Sequence, residues 1–160
     1  MAIKEGDKIP SMKLKRMTAN GPADISTDEI FAGKKVALFS VPGAFTPTCS
    51  AKHLPGYVQK ADALKAKGVN TIVCMAVNDA FVMDAWGKAQ NVGEKVMMLA
   101  DGSAAFAKAL GLELDLTAMG LGMRGRRFSM IVDNGVVKKL NLEEAGAFKI
   151  SDADTMLSQL

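Results

Sequence analysis

Residues 35–57, KVALFSVPGAFTPTCSAKHLPGY, read in succession as a strand, a turn and the start of a helix. Val36, Ala37, Leu38, Phe39 and Val41 form a short apolar run, the pattern of a strand buried on both faces. Pro42 and Gly43 end it, since Pro42 has no N–H to offer a central ladder. Thr46, Pro47 and Thr48 supply helix-start chemistry, with Thr48 predicted to cap and Cys49 to open the first turn. A thiol at that place lies among backbone N–H groups that have no intrahelical partner. The thiolate is the nucleophilic form of cysteine, but complete ionisation of an ordinary thiol raises its population at neutral pH only about thirtyfold. Something must therefore also stabilise the electrophile. Thr46, just ahead of Cys49, offers a hydroxyl, and a cation from elsewhere in the chain would complete a site. The plainer alternative makes Cys49 one more buried small hydrophobe. The turn chemistry favours the reactive reading.

Outward from this stretch, the bulk properties narrow the class. A chain of 160 residues can bury a sizeable core and is read as one domain, residues 1–160. Its 49% hydrophobic and 23% charged content is that of a soluble globular protein. No apolar run approaches the roughly 18–20 residues of a spanning helix. The opening MAIKEGDKIP has neither a signal-peptide core nor transit-peptide character, so a cytoplasmic location is expected. A net charge of +3 is too mild to argue for nucleic acid. Two cysteines without an export signal speak against a disulfide framework and leave room for catalytic or redox roles. With one histidine beside them, a soft-ligand zinc site lacks its fourth ligand, and no metal is expected.

In chain order, residues 1–34 read as an N-terminal elaboration. MKLKRMT alternates apolar and basic residues like an edge strand, residues 19–22 are turn material, and Ser26 with Glu29 fits a capping box for a short helix stopped by Gly33. The helix opened at Cys49 is predicted to run to about Lys67, with a kink or break at Pro55 and Gly56. His53 lies one helical turn after Cys49 and is either a base for it or a histidine that merely surrounds the site or sits on the surface. The second reading is preferred, because a helix N-terminus and a cation already suffice. Residues 69–77 make a second buried strand, 80–90 a helix, 95–99 a third strand, and 101–111 another helix. Residues 111–125 are predicted as a long Gly-rich loop. RFSMIVD and VVKKLNL flank Asn134-Gly135, a strong hairpin signal, and Ser151–Asp154 caps a final helix. The order β-α-β-α-β-α-β-β-α demands a layered α/β architecture, a central mixed sheet flanked by helices.

Three further features carry chemistry or imitate it. Gly120-Leu-Gly-Met-Arg-Gly125 matches the dinucleotide pattern G-x-G-x-x-G but precedes a strand, where the mechanism needs it to follow one and open a helix. Arg124, Arg126 and Arg127 cluster at the entry to the fourth strand; a guanidinium can hold a thiolate and polarise a bound electrophile at once. No aromatic platform accompanies them, which removes an RNA surface. Cys74 sits within the apolar TIVCMAV, where a buried inert thiol is preferred over a resolving thiol that condenses with oxidised Cys49. No C-x-x-C motif is present.

Pro42-Gly-Ala-Phe-Thr46-Pro-Thr-Cys49 has the P-x-x-x-T-x-x-C form of the peroxiredoxins, and VPGAFTPTCSAKHLPGY resembles their type II, peroxiredoxin-5-like branch. RRFSMIVDNG is similar to the strand of that branch whose leading arginine completes the active site, which maps to Arg127. Arg124 and Arg126 are left as a solvated basic rim. The resemblance implies a thioredoxin-like fold with an N-terminal hairpin-like extension. It implies a thiol-dependent peroxidase acting on hydrogen peroxide or organic hydroperoxides through a sulfenic acid at Cys49. Thr46 and Arg127 would orient the peroxide, and Pro42 would shield the sulfur and fix the turn. Glutathione with glutaredoxin, or thioredoxin, would recycle the enzyme, with no metal, flavin or haem cofactor. A homodimer with loops near the active site packed across its interface is also expected. Members of the branch differ over whether the cysteine at the place of Cys74 resolves the intermediate, and residues 136–160 contain no other candidate. The competing class is a peroxide sensor or holdase, oxidised stoichiometrically without efficient turnover.

Overall fold

The apolar run at 35–41 forms a strand, Lys35–Ser40, in the middle of a seven-stranded sheet. The computed structural model of the protein describes residues 2–160. In chain order the strands are β1 (Lys13–Thr18), β2 (Gly21–Ser26), β3 (Lys35–Ser40), β4 (Thr71–Ala76), β5 (Met97–Ala100), β6 (Glu113–Leu116), β7 (Gly122–Gly125), β8 (Phe128–Asp133) and β9 (Val136–Leu142). The α-helices are α1 (Thr27–Phe31), α2 (Leu54–Gln59), α3 (Ala61–Ala66), α4 (Ala80–Ala89), α5 (Ala105–Ala109) and α6 (Ala153–Gln159). The sheet runs β2-β1-β5-β4-β3-β8-β9, with β3, β4 and β5 parallel and the flanking pairs antiparallel. This is the mixed α/β, thioredoxin-like arrangement expected, with β1 and β2 as its N-terminal hairpin.

The uniform apolar character of β3 and β4 follows from helices on both faces. Ala37, Phe39, Ile72, Cys74 and Ala76 share a core with α2, α3, α4 and α6, whereas Val36, Leu38, Val73 and Met75 pack toward α1 and α5. Phe39 stacks on Tyr57 of α2 with ring centroids 4.1 Å apart. Burial of each ring stabilises the layer by about 2–3 kcal/mol, and the pair fixes α2 over β3. Asn134 and Gly135 both take positive φ (49° and 77°), the requirement of the tight hairpin turn that joins β8 to β9. Ser26 and Glu29 form the expected capping box at α1.

Four expectations are corrected. Met12–Thr18 is not an edge strand: β1 lies between β2 and β5, and β2 takes the edge. Gly21 and Pro22 belong to β2 rather than to the turn, paired with Thr18 and Met17, and an edge tolerates a residue without an N–H. Residues 111–125 are not a loop. Leu114 faces Arg124 and Asp115 faces Met123 across the antiparallel β6–β7 hairpin, whose connection is a 3₁₀ turn at Thr117–Met119. Gly120, in the connection, and Gly122, which opens β7, take φ of 76° and 67°. The helix to Lys67 is divided, though not at Pro55 and Gly56: it breaks at Lys60, between α2 and α3. Pro55 lies inside a helix that already runs from residue 47, and the irregularity beside it is a π-helical turn at Cys49–His53 rather than a break. Among the described residues no helix is long and apolar enough to cross a membrane.

Candidate active site

The turn at residues 42–46 carries the chain from β3 to the helix that bears Cys49. Its Ala44 N–H donates to Asn78 Oδ1 at 2.9 Å, and the Thr46 hydroxyl donates to Gly43 O at 2.7 Å. Phe45 at its tip takes φ of 61°, uncommon for a residue with a side chain, and is 57% exposed. Thr48 does not cap the helix. It has helical dihedrals and makes no capping hydrogen bond. Helical structure begins at Pro47, and Ser50 N–H donates to Thr46 O, so Thr46 is the starting residue and Cys49 lies third. Proline at the first helical position is well suited, because its φ is already set.

Cys49–His53 is a single π-helical segment, with Leu54 N–H donating to Cys49 O. Pro55 cannot donate to a carbonyl in the preceding turn and its ring crowds that turn, so a widened helix just before it relieves both. Cys49 and His53 are both fully buried. The Arg127 guanidinium, just ahead of β8, reaches both: Nη2 donates to Cys49 Sγ at 3.2 Å and Nη1 donates to His53 Nδ1 at 2.8 Å. The other ring nitrogen, Nε2, bonds Ser151 O at 3.0 Å. A carbonyl can only accept and a guanidinium can only donate, so the imidazole is neutral with its proton on Nε2. Burial, reinforced by the Arg127 charge, pushes the pKa of His53 down from 6.5 to about 3. With both nitrogens committed, His53 is no base for Cys49. It is not a surface residue either.

The Tyr57 hydroxyl donates to the same Ser151 carbonyl at 2.9 Å, and burial raises its phenol pKa. Pro42 is half-buried and lines a cavity of about 130 Å³ together with Thr48, Arg127, Leu114 and residues 143–147. A roomier groove of about 540 Å³ beside β1, α4 and β5 touches none of these groups.

Arg124 and Arg126 do not form the solvated rim expected of them. Arg124 is half-buried and donates from Nε to Leu121 O (2.8 Å) and from Nη1 to Pro42 O (3.3 Å) and Val77 O (3.4 Å). It ties the β6–β7 hairpin to the turn before Cys49. A Cβ on Gly43 would stand 2.9 Å from this Nη1, so the turn requires glycine for the guanidinium to come so close. Arg126 donates to Glu143 O at 3.0 Å. Clusters of arginine at a strand entry signal charge, but nothing local signals which carbonyls they bind.

Cys74 faces its β3 neighbour Phe39 in register and is fully buried. Burial pushes its thiol well above the ordinary range, and the nearby Cys49 adds to this. Both cysteines are free. The structure thus brings Cys49 and Arg127 into contact, places Thr46 and Pro42 on the turn that leads to them, and leaves Cys74 within a central strand. Among the described residues no group of three or more His, Cys, Asp or Glu side chains could hold a metal ion.

The sequence profile of the family described as Redoxin matches residues 4–157. The chain is 49% identical over 163 residues to peroxiredoxin-2E, chloroplastic, of Arabidopsis thaliana, covering 99% of this chain and 70% of that one. It is 48% identical over 159 residues to peroxiredoxin-2B of Arabidopsis thaliana, covering 99% and 98%. Among solved structures, reduced Prx3 from Vibrio vulnificus in complex with hydrogen peroxide superposes with a TM-score of 0.94 at 54% identity, covering 98% of each chain. A buried thiol under a guanidinium, on a fold shared at this level of identity from end to end, makes this chain a member of the peroxiredoxins within the redoxin family, and hence a thiol-dependent peroxidase.

Proposed function

We propose that Cys49 is the nucleophile and reduces hydrogen peroxide or an organic hydroperoxide by way of a sulfenic acid. The observation that carries this is the bond from Arg127 Nη2 to Cys49 Sγ, made while Nη1 is held on His53. The Cys49 thiolate attacks the terminal oxygen of the peroxide, the S–O bond forms as the O–O bond breaks, and the departing alkoxide or hydroxide takes up a proton. The same guanidinium that touches the sulfur stabilises charge on the departing oxygen. Thr46 donates its hydroxyl proton to Gly43 O, which leaves its oxygen lone pairs to accept from the peroxide. Pro42 walls off the sulfur from bulk water. An external thiol, from glutathione with glutaredoxin or from thioredoxin, then condenses with the sulfenic acid and releases water, and a second thiol frees Cys49. Cys74 is given no part, because it is fully buried in a central strand and burial pushes its thiol away from the thiolate form that reacts.

Intact mass after one equivalent of peroxide, with no thiol donor present, tests this reading. Gain of one oxygen, abolished by Cys49→Ser, is expected. Loss of two hydrogens, abolished by Cys74→Ser, would replace the external thiol by Cys74, and no change would remove the peroxidase role of Cys49.

The enzyme is further proposed to act as a homodimer. Phe45 (57% exposed), Phe81 (66%), Met119 (70%) and Leu121 (38%) lie on the 42–46 turn, the start of α4 and the β6–β7 connection, three segments joined by the Ala44–Asn78 and Arg124–Pro42 hydrogen bonds. Large apolar side chains left exposed on adjoining segments are what an interaction surface would bury. Light scattering of the reduced protein is expected to give twice the chain mass, and Phe81→Glu to halve it. A monomer at all concentrations would overturn the dimer.

A further inference from the structure

We propose that Glu143 is a positioning residue for peroxide reduction, acting through the 147–151 loop and His53 on the Arg127 guanidinium. The inference rests on Cys49 and Arg127 acting as described above. Glu143 follows β9, is 3% exposed, and gathers four donors on one carboxylate oxygen. Lys149 N–H (2.7 Å), Ile150 N–H (2.8 Å), Ser151 N–H (2.8 Å) and the Ser151 hydroxyl (2.8 Å) all bond its Oε2. Burial opposes ionisation of this carboxyl, yet the bonds from Ser151, Ile150 and Lys149 outweigh it and hold its pKa below the ordinary range.

Four bonds on one atom leave the Ser151 peptide little freedom. Its carbonyl points at His53 Nε2 and at the Tyr57 hydroxyl. That contact selects the tautomer with a free lone pair on Nδ1, and the lone pair receives Arg127 Nη1. The same loop supplies Phe148, whose ring lies 4.9 Å from the His53 ring and 5.7 Å from Arg127 Cζ. The guanidinium is therefore gripped at one nitrogen and on one face by groups that Glu143 holds in place. Its remaining arm, Nη2, is directed at Cys49 Sγ. A carboxylate that only closed the loop before α6 would affect folding but not the aim of this arm.

The two roles separate in single-turnover kinetics on the full chain. The fluorescence of Trp86 is a suitable reporter, since its Nε1 donates to Ser50 beside Cys49. Glu143→Gln keeps one acceptor oxygen but no charge to hold four donors. It is expected to slow oxidation by hydrogen peroxide by roughly 10- to 100-fold, the effect of a misplacement near 1 Å. Alkylation of Cys49 by iodoacetamide, which needs no oriented peroxide, is expected to change much less. In an Arg127→Gln background the same substitution is expected to have no further effect, because the groups act in series. His53→Gln, whose carboxamide also has one donor and one acceptor, is expected to outperform His53→Ala, and this pair carries the test if Glu143→Gln does not fold. Equal loss in oxidation and alkylation, or effects that multiply in the double variant, would overturn the proposal. Peroxidase activity surviving Cys49→Ser would instead overturn the reading on which it rests, whereas an inactive Cys49→Ser beside a fully active Glu143→Gln would overturn only the positioning role.

Discussion

Arg127→Gln is expected to lower the second-order rate constant for peroxide reduction by roughly 10²- to 10³-fold, the cost of losing a preorganised donor to developing charge. The argument rests on how one side chain divides its donors. Nη1 is spent on His53 and Nη2 on Cys49 Sγ, in a fork that only a planar guanidinium provides. Arg127→Lys keeps the charge but presents a single ammonium, which cannot bridge the imidazole and the sulfur in the same way. It is expected to recover only part of the loss. Stopped-flow oxidation of the three proteins decides the matter: a lysine variant at full rate would show that charge alone suffices, and a glutamine variant at full rate would remove Arg127 from the chemistry.

The second large effect is on stability. Between pH 6.5 and about pH 4.5 the protein is expected to lose about 2–3 kcal/mol, and His53→Gln is expected to flatten that slope. In the unfolded chain His53 protonates at the ordinary 6.5, whereas in the folded chain it stays neutral to about 3. Below pH 6.5 the unfolded state therefore binds a proton that the folded state does not, and stability falls as pH falls. The loss stops near pH 3, where the folded imidazole protonates as well. His53 is the one histidine in the chain, so the upper part of this window belongs to it. Asp7, Asp24, Asp115 and Glu143, all held below their ordinary values, add their own losses only at lower pH, in the usual carboxylate range. Burial is the larger cause of the His53 shift and Arg127 the smaller, so Arg127→Gln is expected to keep most of the slope. Urea denaturation across the pH range measures it, and an unchanged slope in His53→Gln would refute the assignment.

Features that rest on neighbouring residues were the legible ones. A run of apolar residues at 35–41, a proline and a glycine, and a threonine-rich helix start lead to β3, the turn and a helix with Cys49 in its first turn. Asn134-Gly135 led to a hairpin for the same reason, because two adjacent residues that accept positive φ dictate the turn. Errors arose where two local solutions compete. Thr46 and Thr48 both suit a helix start, and the fit of Pro47 to the first helical position favours Thr46. Glycines at 120 and 122 read as loop, although each strand of the β6–β7 hairpin is long enough to pair. Whether β1 is an edge strand is not a local property at all, since it depends on β5 arriving beside it.

The sequence by itself determined the α/β layering, the strand-turn-helix that carries Cys49, and the turn that joins β8 to β9, because backbone propensity and apolar periodicity act over a few residues. Only the tertiary structure decided that Arg127 bridges Cys49 and His53, that His53 is a neutral buried acceptor, that Arg124 braces the turn, and that Glu143 stands behind the whole group. Those partners lie 74 residues apart in one case and 98 in another. Hydrogen-bond partners at such separations are chosen by where the sheet and its loops bring donors and acceptors together, and no spacing along the chain records that choice.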